Sequence, residues 1–336
     1  MRSMKTITTA DVVEPGISGD PLLRSIDLPL KRVFHPLGFS VEVITNSEVI
    51  LVAAEESWGG MHRVFSEPPL ELRIALSEDG SGVCPPAPVY RAQRNLLSIV
   101  ADARNFAVCD RDQGFAFAWI DADPVEYQSY LRYHFLESIA LNLLSAFCVT
   151  PLHAACVEFH DKGVLLCGNS GAGKSSLAFA CARAGWKYIS DDASYLVRRG
   201  STRLIAGNSH EVRLRPSARE LFPEVKGFMP TPWAAGKPSI EIPTLLLPYV
   251  TTASHTTVEY IIFLNRIEGA AAELVPFSKE VARHWANQSP AATGDNDEVQ
   301  AASLHDLLNA QLLELRYSGL ESAVDYLQKM ILGDRE

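Results

Sequence analysis

The sequence has no excess of basic residues and no long apolar run. Its 336 residues include 30 Lys and Arg against 40 Asp and Glu, which gives a formal net charge of −10. A general nucleic-acid binder needs surplus basic residues to neutralise phosphates, so we expect no nucleic-acid partner. No stretch approaches the about 20 apolar residues that a membrane-spanning helix needs, so we also expect no membrane partner.

Cysteine is scarce, and its distribution shows no metal-binding or disulfide pattern. No two of the six cysteines form a CxxC pair. Several stand inside apolar runs, as small buried hydrophobic residues do: Cys84, Cys109, Cys148, Cys156, Cys167 and Cys181. This pattern favours a reducing compartment and argues against a zinc site. The opening residues, MRSMKTITTADVVEPG, lack the apolar stretch of a secretory signal, and we therefore expect a cytoplasmic protein.

Changes in composition divide the chain into three expected parts. Residues 1–30 are polar and turn-prone, which predicts a flexible arm. Residues 31–148 contain short alternating runs and a candidate helix, which predicts an α+β region that serves as a substrate or partner module. The runs are SVEVI, LELRIAL, NFAVC and GFAFAWI, and the candidate helix is EESWGGMHRVF. Residues 149–336 are expected to form a catalytic α/β domain around a glycine-rich motif.

The remaining elements follow from periodicity and from helix signals. A long helix is expected over residues 124–147, with Asp123 as its N-cap before Pro124. A second helix is expected from Lys174 to about Ala184. Strands are predicted at HAACVEF, GVLLCG, KYIS, TRLIAG, HEVRLR, IPTLLL and VEYIIFL. The chain is predicted to close on two helices, VQAASLHDLLNAQLLELRY and LESAVDYLQKMI.

A glycine-rich motif joins the predicted strand GVLLC to the predicted helix KSSLAFACARA. It matches GxxxxGK[ST] in full and consists of Gly168, Asn169, Ser170, Gly171, Ala172, Gly173, Lys174 and Ser175. Strand, glycine loop and helix in this order are typical of a P-loop, whose backbone N–H groups hold phosphate. Lys174 is expected to reach the β- and γ-phosphates and Ser175 to bind Mg²⁺, and Ser176 completes the predicted nucleotide site. ATP and Mg²⁺ are therefore the expected cofactors.

Two acidic residues and one histidine flank this motif. Asp191 and Asp192 end the strand after the P-loop helix, where one carboxylate could hold Mg²⁺ and the other accept a hydroxyl proton. An aspartate pair is also typical of a turn or a helix cap, so both interpretations stay open. His153 begins the strand before the P-loop strand and is either a core histidine or a neighbour that tunes the aspartate base.

The segment HAACVEFHDKGVLLCGNSGAGKSSLAFACARAGWKYISDD resembles the catalytic core of the HPr kinase/phosphorylase family. His153 precedes Gly168 by fifteen residues, and Asp191 and Asp192 follow Lys174 by seventeen and eighteen residues, as in that family. The resemblance implies a fold similar to that of phosphoenolpyruvate carboxykinase. It also implies that Lys174 contacts phosphate, that Asp192 is the base toward the acceptor hydroxyl, that Asp191 assists at the metal and that His153 supports the aspartate.

The resemblance further implies a glutamate on the metal, with Glu211 as the candidate, while the alternative is a solvated strand residue. Arg213 and Arg215 alternate along the same predicted strand and either face phosphate or line an exposed edge. Lys237 is a further candidate anion contact. The family also forms hexamers, so the resemblance raises self-association as an expectation.

The chain departs from the family in two ways. Ser176 stands where the family usually has glutamate, and the PGRN-like loop that serves the phosphorylase activity is absent. The leading hypothesis is therefore a kinase that phosphorylates a hydroxyl, in the first place that of serine in a protein, a peptide or the free amino acid. A nucleotide-binding regulatory protein with little transfer activity is the alternative. A motor or switch NTPase is disfavoured, because KYISDD follows the P-loop helix directly.

Overall fold

The computed structural model describes residues 26–77, 83–121, 127–198, 203–231, 238–287 and 297–333. Nearly all of the expected arm lies outside the described residues, as do Asp123, Pro124 and Lys237. The described ranges form a mixed α/β structure with two large sheets, and the helix that ends near residue 147 contacts strands of both. The mixed α/β class expected from the sequence is thereby confirmed. The division into three parts stays a prediction.

The first sheet has seven strands in the order β1-β2-β3-β7-β6-β5-β4. They are β1 (Leu30–Phe34), β2 (Val41–Thr45), β3 (Leu70–Leu76), β4 (Val89–Gln93), β5 (Leu96–Val100), β6 (Phe106–Asp110) and β7 (Phe115–Ile120). β2, β3 and β7 run parallel, and the other pairs are antiparallel. Alternate residues of β2 are buried, as the period of two predicts. All four runs read from the sequence as strands in this region are strands.

Helix α1 (Glu48–Trp58) connects β2 to β3. The sequence prediction placed this helix over EESWGGMHRVF, which starts too late and runs too far. Ser47 caps the observed helix, with its side chain accepting a hydrogen bond from the Val49 N–H at 3.3 Å. The helix ends at Gly59, so Met61 and the residues after it lie in a loop.

The long predicted helix is present over residues 128–147, but it is not a regular α-helix throughout. It consists of α2 (Gln128–Leu131), a π-helical segment (Arg132–Glu137) and α3 (Ser138–Phe147). Leu131, Phe135, Ile139 and Leu143 are buried in the core that the helix shares with the first sheet. A π-helical segment widens the turn and is frequent at functional sites.

The second sheet has ten strands and holds the P-loop. Its strands are β8 (Val149–Leu152), β9 (Ala155–Phe159), β10 (Lys162–Cys167), β11 (Lys187–Ser190), β12 (Ser194–Val197), β13 (Leu204–Gly207), β16 (Thr251–Thr252), β17 (His255–Arg266), β18 (Glu273–Pro276) and β19 (Gln311–Tyr317). Eight of them follow the order β16-β11-β9-β10-β17-β13-β12-β8, and β19 pairs with β17 and β18. β14 (Glu211–Leu214) and β15 (Ile240–Pro243) form a separate antiparallel pair.

The last part of the chain contains two further corrections. The predicted helix VQAASLHDLLNAQLLELRY is helix α6 (Asp297–Leu307) followed by strand β19, because Leu313, Leu315 and Tyr317 are buried at alternate positions. IPTLLL is β15 followed by a short 3₁₀ turn, Thr244–Leu246. Helix α5 (Lys279–Asn287) was not predicted, whereas the last helix, α7 (Leu320–Leu332), was.

Strand β10 lies inside the second sheet, antiparallel to β9 and parallel to β17. Its last five residues, GVLLC, are all buried, which explains the continuous apolar run in front of the P-loop. Helix α4 (Lys174–Arg183) follows the loop and packs against β9, β11 and α7. Within the described ranges, none of the helices combines the length and the apolar character of a transmembrane helix.

Candidate active site

The P-loop connects the buried end of β10 to the N-terminus of α4. Gly171 and Gly173 adopt left-handed backbone conformations, with φ of 91° and 98°. The Ala172 N–H donates to the Asn169 carbonyl at 3.0 Å, and the Tyr317 hydroxyl donates to the Ala172 carbonyl at 3.1 Å. The loop is therefore fixed by a hydrogen bond within it and by one from Tyr317 of β19. The first turn of α4 points toward the open space beside the loop.

The Lys174 ammonium group lies at the centre of this space. Its Nζ atom donates to the carbonyl oxygens of Gly168 at 2.8 Å and of Asn169 at 3.2 Å, and it lies 3.1 Å from Nε2 of His153. The residue is only 5% exposed. Burial lowers the pKa of Lys174, and the nearby Asp192 carboxylate acts in the opposite direction.

His153 links Lys174 to Asp192. Its Nδ1 atom lies 3.4 Å from Oδ1 of Asp192, on the side of the ring opposite the Lys174 contact. An ammonium group only donates, so in the neutral ring Nε2 accepts from Lys174 and the ring proton sits on Nδ1, facing the carboxylate. His153 lies in the turn between β8 and β9 rather than in a strand, since β9 begins at Ala155.

A cavity of about 270 Å³ lies above the loop. We term it the P-loop cavity; it is lined by His153, Ser170, Gly171, Gly173, Lys174, Ser175, Ser176, Asp192, Leu214, Arg215, Ser217, Ala218, Leu221 and Arg266. Arg215 donates from Nη2 to the Ser170 hydroxyl at 3.1 Å. A Cβ atom at Gly171 would meet nothing within 4 Å, so the loop leaves open space at its tip. Exposed backbone N–H groups, one buried ammonium group and a guanidinium group fit the phosphates of a nucleotide.

The two aspartates that follow β11 differ in exposure. Asp192 has a side chain 58% exposed that lines the P-loop cavity. Asp191 is buried, and its carboxylate accepts a hydrogen bond from the Arg213 N–H, while the neighbouring Tyr188 hydroxyl donates to the Glu211 carbonyl oxygen at 3.2 Å. Burial raises the pKa of Asp191 to about 7, against the lowering effect of the bond from Arg213. The Ser175 hydroxyl donates to the Asp191 carbonyl oxygen at 3.1 Å, so the contact between these two residues is with the backbone.

Arg213 lies among acidic groups rather than above the P-loop. Its Nε atom is 3.0 Å from Oε1 of Glu241, its Nη2 atom is 3.6 Å from Oε1 of Glu211, and its guanidinium group lies 5.0 Å from the centre of the Tyr133 ring. The Tyr133 hydroxyl also donates to Glu241. Burial, and after it the Glu241 carboxylate, raise the pKa of Glu211 to about 7 against the lowering effect of Arg213. Of the two predicted arginines, only Arg215 lines the P-loop cavity.

A second cavity, of about 130 Å³, also has Asp192 in its lining. We term it the Trp58 cavity; it is lined by Pro36, Leu37, Ser57, Trp58, Met61, Glu137, Leu141, Ser190, Asp191, Asp192, Ala193, Tyr195, Asn208, Glu211 and Arg213. Part of this lining comes from the turn between β1 and β2, helix α1 and the long helix, and most of the rest comes from β14, β12 and the turn after β11. Glu211, predicted as a metal ligand, therefore faces this cavity and not the P-loop cavity.

The metal expected here is Mg²⁺. In the part of the chain that the structure describes, no three His, Cys, Asp or Glu side chains are grouped closely enough to hold a metal ion alone. Magnesium beside a nucleotide uses one or two carboxylates, the phosphates and water, rather than an all-protein cage. The Ser175 hydroxyl and the open Asp192 carboxylate at one cavity fit that requirement.

Gly173→Ala is expected to weaken ATP binding at least about tenfold more than Gly171→Ala. Both substitutions place a side chain at positive φ, but only at Gly173 would the new Cβ meet another group, the Tyr317 hydroxyl at 2.7 Å. Tyr317 is fully buried and cannot retreat. Titration of both variants with ATP checks this difference, and equal losses would show that backbone strain alone sets the affinity.

Glu211→Gln is expected to stabilise the ligand-free protein at about pH 8, by about 2 kcal/mol, and to leave it unchanged at about pH 5. A carboxyl group whose pKa rises on folding from 4.5 to about 7 contributes stability below its ordinary pKa and loses it as the pH rises toward the folded value. Glutamine mimics the protonated form throughout. Urea unfolding at both pH values measures the effect, with Glu273→Gln at the surface as control. A pH-independent difference would contradict the buried, proton-binding state of Glu211.

Several residues of the site carried no signal in the sequence. Trp58 and Met61 lie about a hundred residues before the P-loop, and Tyr133 and Glu137 belong to the predicted long helix, to which no site residue was assigned. Glu241 belongs to a run that was interpreted only as a strand. A homologue alignment or a contact prediction would be needed to connect them, because sequence spacing says nothing about contacts between distant segments.

Comparisons with known proteins agree with the resemblance inferred from the motif. Residues 147–215 match the family model described as HPr Serine kinase C-terminal domain. An HPr kinase/phosphorylase of Chlorobium phaeobacteroides is 37% identical over 60 residues, which is 18% of this chain and 18% of that protein. An HPr kinase/phosphorylase of Prosthecochloris aestuarii is 35% identical over 76 residues, which is 23% of this chain and 20% of that protein. The chain thus spans about a fifth of the length of these curated relatives.

A solved structure, the Hpr(Ser) kinase/phosphatase from Coxiella burnetii, aligns with 55% of this chain and 98% of its own. The sequence identity is 13% and the TM-score is 0.27, which is too low to establish a shared fold. The match to the family model includes the P-loop, both aspartates and His153. Residues 147–215 therefore resemble the HPr serine kinase C-terminal domain, and the rest of the chain lies outside that match.

Proposed function

We propose that the chain is an ATP- and Mg²⁺-dependent kinase that transfers the γ-phosphoryl group of ATP to a hydroxyl group, in the first place that of serine in a protein, a peptide or the free amino acid. The observation that carries the proposal is the contact series from Lys174 through His153 to Asp192, with distances of 3.1 Å and 3.4 Å. It joins a phosphate-binding ammonium group to an open carboxylate at the edge of one cavity.

Each group of this series has a distinct task. Lys174 is the cation for the β- and γ-phosphates, since its buried ammonium group lies at the loop and is joined to the base through His153. Asp192 accepts the proton of the attacking hydroxyl, because its carboxylate is open to two cavities. His153 positions Asp192 by presenting its ring proton to the carboxylate. Bound Mg²⁺ would neutralise phosphate charge beside Ser175 and Asp192.

One observation favours a second function, nucleotide binding with little or no transfer. The carboxylates of Asp191 and Glu211, both predicted at the metal, line the Trp58 cavity, whereas Ser175 lines the P-loop cavity. A nucleotide site with fewer acidic metal ligands would hold ATP with slower transfer. In that case the cavity beyond Asp192 would serve a regulatory ligand or partner.

The two functions are separated by incubating the purified chain with γ-labelled ATP and Mg²⁺ in the presence of protein acceptors and small-molecule fractions. The curated relatives are named HPr kinase/phosphorylases, so HPr is one of the protein acceptors. A kinase gives labelled product that requires both Mg²⁺ and the chain. Saturable ATP binding without any labelled product would instead support the regulatory function.

A further inference from the structure

The Trp58 cavity and the P-loop cavity meet at a single open carboxylate. Asp192 lines both of them, and its side chain is 58% exposed. A phosphate held at the P-loop and a hydroxyl held in the Trp58 cavity would therefore both lie beside the same carboxylate. A base next to both the acceptor hydroxyl and the transferred phosphoryl group is what transfer with one carboxylate base requires.

The wall of the Trp58 cavity farthest from the P-loop lies outside residues 147–215. Trp58 and Met61 come from helix α1 and the loop after it, and Glu137 comes from the π-helical segment. Glu137 is fixed by the Ser57 hydroxyl, which donates to Oε1 at 2.8 Å, and by Arg132, whose Nη2 atom is 3.5 Å away. The turn between β1 and β2, helix α1 with the loop after it, and the long helix thus supply part of the lining that an acceptor beside Asp192 would contact.

The size of the cavity limits the acceptor. A volume of about 130 Å³ is half that of the P-loop cavity. Since one water molecule needs about 10–15 Å³ of such space, the cavity holds on the order of ten non-hydrogen atoms. It accommodates an amino acid or a molecule of similar size, but not a folded segment of a protein.

The charges around the cavity select among such molecules. Four carboxyl groups line it, those of Glu137, Asp191, Asp192 and Glu211, against one guanidinium group, that of Arg213. Because burial raises the pKa of Asp191 and Glu211 to about 7, these two carry only part of a negative charge at neutral pH. Arg213 is already engaged by Glu211 and Glu241, so its positive charge is offset. A cationic group is favoured in this surrounding, and an anionic one is repelled.

We propose that the Trp58 cavity is the acceptor site, and that its ligand is a compact hydroxyl compound that carries an ammonium group. This inference rests on the proposed kinase function and narrows its acceptor to a free small molecule. In the transfer, the hydroxyl oxygen forms a bond to the γ-phosphorus as the bond to the leaving ADP oxygen breaks. The hydroxyl proton passes to Asp192, so the products are the phosphoester, ADP and one proton released later to water.

The first test compares four acceptors of similar size: L-serine and ethanolamine, which carry an ammonium group, glycerol, which is neutral, and glycerate, which is anionic. We expect kcat/KM for at least one of the two ammonium compounds to exceed that for glycerol by about tenfold or more, and glycerate to be the poorest. Equal use of glycerol or glycerate would overturn the proposal. So would labelling of a protein in an extract with none of the four compounds phosphorylated, although the kinase function would then stand.

The second test fills the cavity. Met61→Phe is expected to lower kcat/KM for the ammonium acceptor at least about tenfold while ATP affinity stays unchanged, because Met61 lines only the Trp58 cavity. The matched control is Met229→Phe, at a methionine that is 77% exposed and lines neither cavity. Glu137→Gln provides a second variant, with KM for the acceptor expected to rise and KM for ATP expected to stay constant. Unchanged acceptor kinetics in both cavity variants would show that the acceptor binds elsewhere.

Discussion

Asp192→Asn is expected to lower the rate of phosphoryl transfer by about 10²- to 10⁴-fold, while the affinity for ATP measured without Mg²⁺ stays within about threefold of the wild-type value. Asparagine has nearly the same shape as aspartate and still accepts a hydrogen bond from His153, but it cannot take the proton of the attacking hydroxyl. The Lys174 contacts with Gly168, Asn169 and His153 do not involve this carboxylate. The measurement is single-turnover transfer from labelled ATP beside equilibrium binding of ATP.

The matched control is Asp161→Asn. Asp161 is a highly exposed aspartate whose charge lies in a surface ion pair with Lys187. Its substitution changes the net charge of the protein by the same amount and is expected to leave transfer unchanged. If Asp192→Asn retained more than about a tenth of the wild-type transfer rate, Asp192 would not be the base. Loss of ATP binding in the same variant would make it a nucleotide ligand instead.

The P-loop was readable from the sequence because its chemistry is local. Gly171, Gly173 and Lys174 lie within four residues, and the flanking strand and helix are continuous in the chain. The interval from His153 to Gly168 suggested that a histidine belongs to the site. The position of its ring between Lys174 and Asp192 depends on the turn between β8 and β9. The conformation of that turn cannot be predicted from residue spacing.

The errors have physical causes in tertiary contacts. QLLELRY continues the apolar spacing of helix α6, but it forms β19 because it pairs with β17 on one side and with β18 on the other. The sequence signal for a strand was the apolar residue at every second position, Leu313, Leu315 and Tyr317. All three are buried in the structure. The Trp58 cavity could not be predicted from the sequence for another reason. The segments that line it are far apart in the chain and meet only by packing in the folded structure.

Lys174→Met is expected to weaken ATP binding by about tenfold or more and to lower kcat/KM for ATP by about 10²- to 10³-fold. Methionine is similar in length and apolar volume, so it fills the space of the lysine stem. It leaves the carbonyl oxygens of Gly168 and Asn169 and the Nε2 atom of His153 without their donor, and it removes the positive charge that the phosphates would meet.

The control is Lys279→Met, at a lysine of the surface helix α5 that donates to Asn309 at 3.0 Å. It removes the same charge from the protein, and both ATP binding and transfer are expected to persist.

Because His153 contacts both Lys174 and Asp192, the Lys174 variant is also expected to loosen Asp192 and to reduce transfer beyond its effect on ATP affinity. A double variant with Asp192→Asn measures this coupling: an additive loss would mean that the two groups act independently, and a smaller combined loss is expected if His153 joins them. Tight ATP binding by the Lys174 variant would contradict the assignment of the P-loop cavity to phosphate.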